Sequence, residues 1–217
     1  MTEVPHRGVC LVLAGPSGGG KSSVSRALRE LEPDLSVSVS VTTRPARASE
    51  RDGVDYHFRT HAEFEAMVAE GVLLEWAQVL GKHFYGTLRA PVEQVLTAGT
   101  DMIFDVDWQG FRSLRSAMPA DVVGIFLLPP SLPALEARLR SRGGDAGMEI
   151  ARRMGCARDE IAHCGEFDHI VVNDSFDQTV STVRAILVAA RTATQRLSGL
   201  AAFCAGLSKS GSAFPGP

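Results

Sequence analysis

Gly15-Pro16-Ser17-Gly18-Gly19-Gly20-Lys21-Ser22 follows the apolar run Val9-Cys10-Leu11-Val12-Leu13-Ala14 and precedes a helical pattern. A strand that enters a glycine-rich turn ending in Gly-Lys-Ser, with a helix behind it, is the arrangement of a phosphate-binding loop. Where glycine replaces a larger residue the backbone is bare enough to wrap a phosphate chain, so successive N–H groups and the positive end of the next helix point at anionic oxygens. Lys21 adds a mobile positive charge beside the β- and γ-phosphates, and the Ser22 hydroxyl can coordinate Mg²⁺. Gly15 through Ser23 is therefore expected to hold a nucleoside triphosphate.

The rest of the composition bounds the surroundings of that loop. With 217 residues, 45% hydrophobic and 22% charged, the chain is long enough for one substantial core with inserted units. A formal net charge of −3 gives no global reason to expect nucleic acid or an anionic membrane as partner, so phosphate attraction must be local. Cys10, Cys156, Cys164 and Cys204 form neither a CxxC pair nor a metal-ligand spacing, which reads as free thiols in a reducing cytosol. No stretch has the length of a signal segment with its cleavage site or of a membrane span, and a cytoplasmic protein is expected.

Apolar runs alternate with helical patterns along the chain. Val9 to Ala14, Met102 to Val106, Val122 to Leu128 and Ile170 to Val172 read as buried parallel strands, giving an α/β fold with three α/β/α layers about a parallel sheet. Core segments are expected at 8–35 and 100–190. Between them, at 36–90, the β-like pieces Ser36 to Val41, Val54 to Phe58 and Val72 to Trp76 surround one helix, which reads as a small mixed α+β insertion. Thr60 and Glu63 make a capping box for that helix, whose apolar face is Phe64, Met67 and Val68. Pro91 to Ala98 is a further helix stopped by Gly99, and Ser131 opens another that Gly143-Gly144 interrupts. Arginines crowd residues 138–158 with few apolar neighbours, the texture of a hinged basic lid or, by charge alone, equally of a solvated charged helix face. The last helix uses Val180, Val183 and Leu187; the remainder of 191–217, from about Leu197, turns to small residues and is expected to fray.

A phosphate-binding loop specifies a nucleotide and leaves the reaction open. Asp107-Trp108-Gln109-Gly110 spells the DxxG of a GTPase at the end of an acidic strand, yet the chain has no NKxD motif to read a guanine base in that way. More specific is Ser38-Val39-Ser40-Val41-Thr42-Thr43-Arg44-Pro45-Ala46-Arg47, followed by Asp55-Tyr56-His57-Phe58. Two arginines after a short strand, with a phenol nearby, can clamp a second phosphate through paired N–H donors.

From these residues onward the chain resembles the guanylate kinase family, over about 8–190 and in the family's order of motifs. The resemblance rests on the loop at Gly15 to Ser22, on Ser40, Arg44, Arg47 and Tyr56, on Leu74-Glu75-Trp76-Ala77 and on Tyr85-Gly86-Thr87. It continues through Asp105-Val106-Asp107-Trp108-Gln109-Gly110, Leu128-Pro129-Pro130-Ser131, the arginines Arg138, Arg142 and Arg153, and Val172-Asn173-Asp174. It implies transfer of a phosphoryl group from ATP to GMP with Mg²⁺, by a monomer or homodimer. ATP would be held by Gly15, Pro16, Ser17, Gly18, Gly19, Gly20, Lys21, Ser22, Ser23 and Asn173, the last at the adenine. GMP would be held by Ser40, Arg44, Arg47, Tyr56, Glu75, Tyr85, Thr87 and Asp107, and the metal by Ser22 and Asp105. Lys21, Arg44, Arg138, Arg142 and Arg153 would neutralise charge on the group in transfer. Against the family pattern, the arginine loop has lost its usual proline and glycine, and Gly81-Lys82-His83-Phe84-Tyr85 is one residue longer, which leaves open which aromatic faces the phosphate.

Chemistry supports the implied selectivity. Guanine presents two adjacent donors, N1–H and the 2-amino group, that one carboxylate can accept side by side, whereas adenine has an acceptor at N1. Glu75 suits that task, with Ser40 and Thr87 hydroxyls directed at O6. Two other readings remain: a non-catalytic interaction domain of guanylate-kinase type, and a kinase for a different nucleoside monophosphate. His57 and His61 lack a third metal ligand, Trp76 and Trp108 read as core or pocket walls, and the adjacent His163 and Cys164 point apart on a helix.

Overall fold

The computed structural model describes residues 4–79, 81–141 and 147–210. In chain order its elements are β1 (Cys10–Ala14), α1 (Lys21–Leu31), β2 (Ser36–Val37), β3 (Val41–Thr42), β4 (His57–Phe58), α2 (His61–Ala69), β5 (Leu73–Val79), β6 (His83–Leu88) and α3 (Arg89–Thr97). There follow β7 (Met102–Asp105), α4 (Trp108–Ala117), β8 (Val122–Leu128), α5 (Leu132–Ser141), α6 (Gly147–Ala162), β9 (His169–Val172), α7 (Phe176–Arg191) and α8 (Leu200–Ser210). Among the described residues no helix is long and apolar enough to cross a membrane.

The central sheet has the strand order β2-β7-β1-β8-β9, and every pairing in it is parallel. Its middle strand explains the unbroken apolar run in the sequence, because successive side chains of a strand point to opposite faces. Cys10, Val12 and Ala14 pack with Phe104, Phe126 and, from the helices, Val92, Leu96, Phe111 and Leu114. Leu11 and Leu13 face the other way, onto Val24 and Leu28 of α1 and Val180, Val183 and Leu187 of α7. Leu187 is fully buried there, so Leu187→Ala is expected to cost about 2–5 kcal/mol, read as a lower midpoint in urea unfolding.

Four of the sequence expectations change on contact with the structure. The outermost strand β9 is not buried on both faces: Ile170 is 44% and Val172 54% exposed, since an edge strand has a neighbour on one side only. Ser36–Val37 belongs to the central sheet, paired with Met102 and Ile103, so the inserted unit's own sheet begins at Val41. The basic segment carries a core of its own, with Leu135 and Leu139 of α5 meeting Ile150, Met154 and Ala157 of α6. Those spacings are helical, and the intervening arginines masked them. The chain beyond Leu197 does not simply fray but forms α8. Arg196 is 3% exposed and donates from Nη1 to Asp121 O at 2.9 Å; Arg7 N donates to Arg196 O at 2.8 Å, and Gly199 N to Pro5 O at 2.9 Å. The two chain ends thus brace one another, and Leu200-Ala201-Ala202 supplies good helix formers after that anchor. Gly143-Gly144 and residues 211–217 lie outside the described residues.

The second sheet has the order β4-β3-β6-β5, with β6 antiparallel to both β3 and β5. Helix α2 covers it through Phe64, which packs with Val41 and Leu73. The capping box forms as the sequence predicts: Thr60 Oγ1 accepts from Glu63 N at 3.2 Å, and Thr60 N donates to Glu63 Oε2 at 2.7 Å.

Candidate active site

The loop from β1 to α1 owes its shape to three glycines with positive φ, Gly15, Gly18 and Gly20. At Gly15, φ is 140° and a Cβ would stand 2.4 Å from Leu127 O; at Gly20, φ is 104° and a Cβ would stand 2.3 Å from Asn173 Nδ2. No side chain caps α1, whose first residue is Lys21, so the N–H groups of its first turn are left for an anion. Lys21 Nζ donates to Gly15 O at 2.6 Å and is held across the loop.

Parallel pairing of β1 with β7 sets Leu13 beside Asp105 and brings the acidic strand end to this loop. Ser22 Oγ donates to Asp105 Oδ2 at 3.4 Å. A hydroxyl and one exposed carboxylate are hard oxygen donors, the set that suits Mg²⁺ when phosphates and water complete its octahedron, so these residues fit the metal that the loop implies.

A second cluster belongs to the inserted unit, near enough that the charge of Asp105 acts on its Tyr56. Arg44 donates from Nη2 to Glu50 Oε1 at 2.8 Å, and its Cζ stands 5.2 Å from the centre of the Tyr56 ring. Tyr85 lies edge-on to Tyr56 at 6.1 Å, while Phe84 turns away to stack on Phe64 at 5.4 Å. Of the two aromatics in the lengthened turn, Tyr85 is therefore the one in the cluster. Glu50 was not singled out by the sequence, although it closes the arginine loop by also accepting from Arg47 N at 2.8 Å. Arg47 itself stands at the rim with its side chain 75% exposed.

Glu75 occupies the floor between the sheets. Register places it opposite Thr87, whose Oγ1 donates to Glu75 Oε1 at 2.7 Å. Burial pushes the carboxyl up to about 7; the Thr87 hydrogen bond opposes this, and the negative charge of Asp107 adds to it. Space for that carboxylate comes from Gly110, where a Cβ would meet Glu75 Oε2 at 3.4 Å and Val106 Cβ at 3.0 Å. Asp107 caps α4 by accepting from Gly110 N at 2.9 Å, which accounts for the Asp107-to-Gly110 motif without any GTPase. Ser40 is half-buried at the entrance to β3, and its carbonyl accepts from His57 N at 2.8 Å.

The lid reaches the phosphate loop from above. Arg153 Nη1 lies 3.5 Å from Ser17 Oγ, and Arg138 Nη2 donates to Asn173 O at 2.8 Å; Arg142 is outside the described residues. Glu160, two helical turns beyond Arg153, carries no sequence signal of its own. Its carboxyl is raised chiefly by burial, with the charge of Lys21 opposing and that of Asp107 adding. A cavity of about 300 Å³ opens beside the loop, lined by Gly18, Gly20, Ser23, Arg138, Asn173 and Phe176 among others.

Asn173, expected at the adenine, lines that cavity and also braces the loop. It is 5% exposed, donates from Nδ2 to Gly19 O at 2.8 Å and accepts from Thr179 Oγ1 at 3.1 Å. Trp76 corrects an expectation: it is 46% exposed on the insertion, edge-on to Phe64 and Phe84. Trp108 is a wall as expected, stacked on His163 at 3.7 Å.

Comparison with known proteins gives one consistent answer. Residues 7–190 match the family model described as guanylate kinase. The chain is 56% identical to the guanylate kinase of Gluconobacter oxydans over 96% of its own length and 100% of that protein. It is also 56% identical to the guanylate kinase of Granulibacter bethesdensis, over 95% of its length and 96% of the relative. Among solved structures, the crystal structure of guanylate kinase from Anaplasma phagocytophilum is similar with a TM-score of 0.75 and 35% identity, covering 91% of this chain and 93% of that one.

Proposed function

We propose that this chain, which belongs to the guanylate kinase family, transfers the terminal phosphoryl group of ATP to GMP, giving ADP and GDP. What supports the reading is the buried Glu75–Thr87 pair in the inserted sheet, which also carries Tyr85 of the arginine–tyrosine cluster, with the charge of Asp105 at the phosphate loop acting on Tyr56 of that cluster.

Phosphoryl transfer asks mainly for alignment and charge neutralisation, so no covalent enzyme intermediate is required. The loop from Gly15 to Ser23 holds the donor polyphosphate, with Lys21 beside the group that moves. Arg44, Arg47, Tyr56 and Tyr85 seat the GMP phosphate so that one of its oxygens attacks in line. Glu75 accepts from guanine N1–H and the 2-amino group, with Ser40 and Thr87 near O6 and the charge of Asp107 holding the edge of the pocket polar. Ser22 and Asp105 would hold Mg²⁺, which when bound would supply positive charge against the phosphates. Arg138, Arg142 and Arg153 supply positive charge from the lid, whose closure excludes the water that would otherwise hydrolyse ATP. The reaction is placed in the cytoplasm, where both nucleotides occur.

The intact Lys21 and Ser22 favour an enzyme over an interaction domain. A coupled assay of ADP formation with AMP, CMP, GMP and UMP in turn is expected to give turnover with GMP and background with the others. Equal rates across acceptors would refute guanine selectivity, and no ADP with any acceptor would leave the binding-domain reading in its place.

A further inference from the structure

We infer that Thr179 is a positioning residue for the donor site, acting through Asn173 to hold the phosphate loop in its anion-binding shape. This rests on the donor site assigned above.

Asn173 sits at a junction. Its backbone N–H donates to Leu128 O at 2.8 Å, which ties it to the end of the central sheet. Its backbone carbonyl accepts from Arg138 Nη2 at 2.8 Å, so a lid arginine rests on it. Its side chain enters the loop, where Nδ2 donates to Gly19 O at 2.8 Å. A carbonyl oxygen can be satisfied only by a donor, so the amide nitrogen must face Gly19 and Oδ1 must face away. In that direction stands Thr179, on the first turn of α7 and 2% exposed, whose Oγ1 lies 3.1 Å from Asn173 Oδ1 and 2.8 Å from Ser175 O, with one proton between the two acceptors. The two acceptors share that one proton, and the share given to Asn173 Oδ1 is what orients the carboxamide.

The consequence for the loop follows from the lack of slack at Gly20. A Cβ there would stand 2.3 Å from Asn173 Nδ2, so the carboxamide and the left-handed turn of the loop occupy adjoining space and neither can shift alone. Releasing the carboxamide removes the strut under Gly19, whose N–H donates to Pro16 O at 2.8 Å, and frees the loop to leave that shape. Among the described residues the Thr179 hydroxyl meets Asn173 and Ser175, and of these Asn173 alone reaches the phosphate loop, so its influence on nucleotide binding passes through Asn173.

The experiment measures ADP and GMP binding separately by calorimetry, together with thermal midpoints, for the full-length protein and for Thr179→Val, Thr179→Ala and Thr179→Ser. Loss of the hydroxyl in the Val and Ala variants is expected to weaken ADP binding about tenfold, the effect of leaving one buried acceptor unmatched. GMP affinity should stay within twofold, and Ser should restore wild-type ADP affinity. Ala and Ser differ only by the hydroxyl, so that pair decides the matter even if Val lowers expression. Wild-type ADP affinity in the Ala variant, or equal weakening of ADP and GMP together, would overturn the inference. Neither outcome depends on turnover: a wild-type protein that binds ADP yet makes no GDP would end the proposed function and leave Thr179 still decided by these affinities.

Discussion

Lys21→Met should lower turnover of ATP with GMP by about a thousandfold or more while leaving the protein folded. The side chain makes its hydrogen bond to Gly15 O from within the loop and contributes nothing to either face of the core, so the thermal midpoint should move little. Its value lies in the transition state. Charge that spreads over the moving phosphoryl oxygens is met by an ammonium already held nearby, and a neutral methionine of similar length keeps the shape but removes the charge. Because the interaction strengthens as the reaction proceeds, kcat should fall far more than ATP affinity does. Steady-state kinetics beside a melting curve read both quantities, and unchanged turnover in a folded Lys21→Met protein would contradict the role assigned to Lys21.

How much of this arrangement could be read from residues in order depends on how local each feature is. The phosphate loop was legible because strand, glycines, lysine and helix are contiguous, and the backbone geometry of Gly15 and Gly20 follows from residue type alone. The capping box at Thr60 was legible for the same reason. Pairing of Ser22 with Asp105 depends on β7 lying beside β1, which the order of strands in the sheet decides and no short motif states. The bracing role of Asn173 was not legible, because its partners Gly19 and Thr179 come together only in space. The lid's apolar seam was hidden by the arginines between its members, and the tail by small residues that look formless until Arg196 is seen buried against Asp121. Family likeness supplied the names of the acceptor residues; it did not supply Glu50, whose clasp on Arg44 and on the backbone of Arg47 appears only in the folded loop.

Glu75→Gln should abolish preference for guanine, lowering kcat/KM for GMP by about 10⁴-fold with little change toward other acceptors. A carboxylate offers two acceptors to N1–H and the 2-amino group, whereas an amide turns one of these into a donor aimed at a donor. The same residue sets a pH dependence. With its carboxyl at about 7 in the unliganded protein, part of the population is protonated near neutrality, and guanine's two donors favour the ionised form. GMP binding at pH 6.5 should therefore release a proton from Glu75, and kcat/KM for GMP should fall about tenfold for each unit below 7. The GMP phosphate also titrates near pH 6, but it is common to both proteins, so the step present in wild type and missing in Glu75→Gln belongs to the carboxyl. Stability runs the opposite way. The folded value is raised from 4.5 to about 7, so the folded state binds the proton more tightly. The stabilisation this gives is complete below 4.5 and is lost as pH rises through 7, a decline that Glu75→Gln should lack. Calorimetry in buffers of different ionisation enthalpy reads the proton, and urea unfolding across that range reads the stability. If wild type and Glu75→Gln trace parallel profiles in both, the buried carboxyl is not the group that selects the purine.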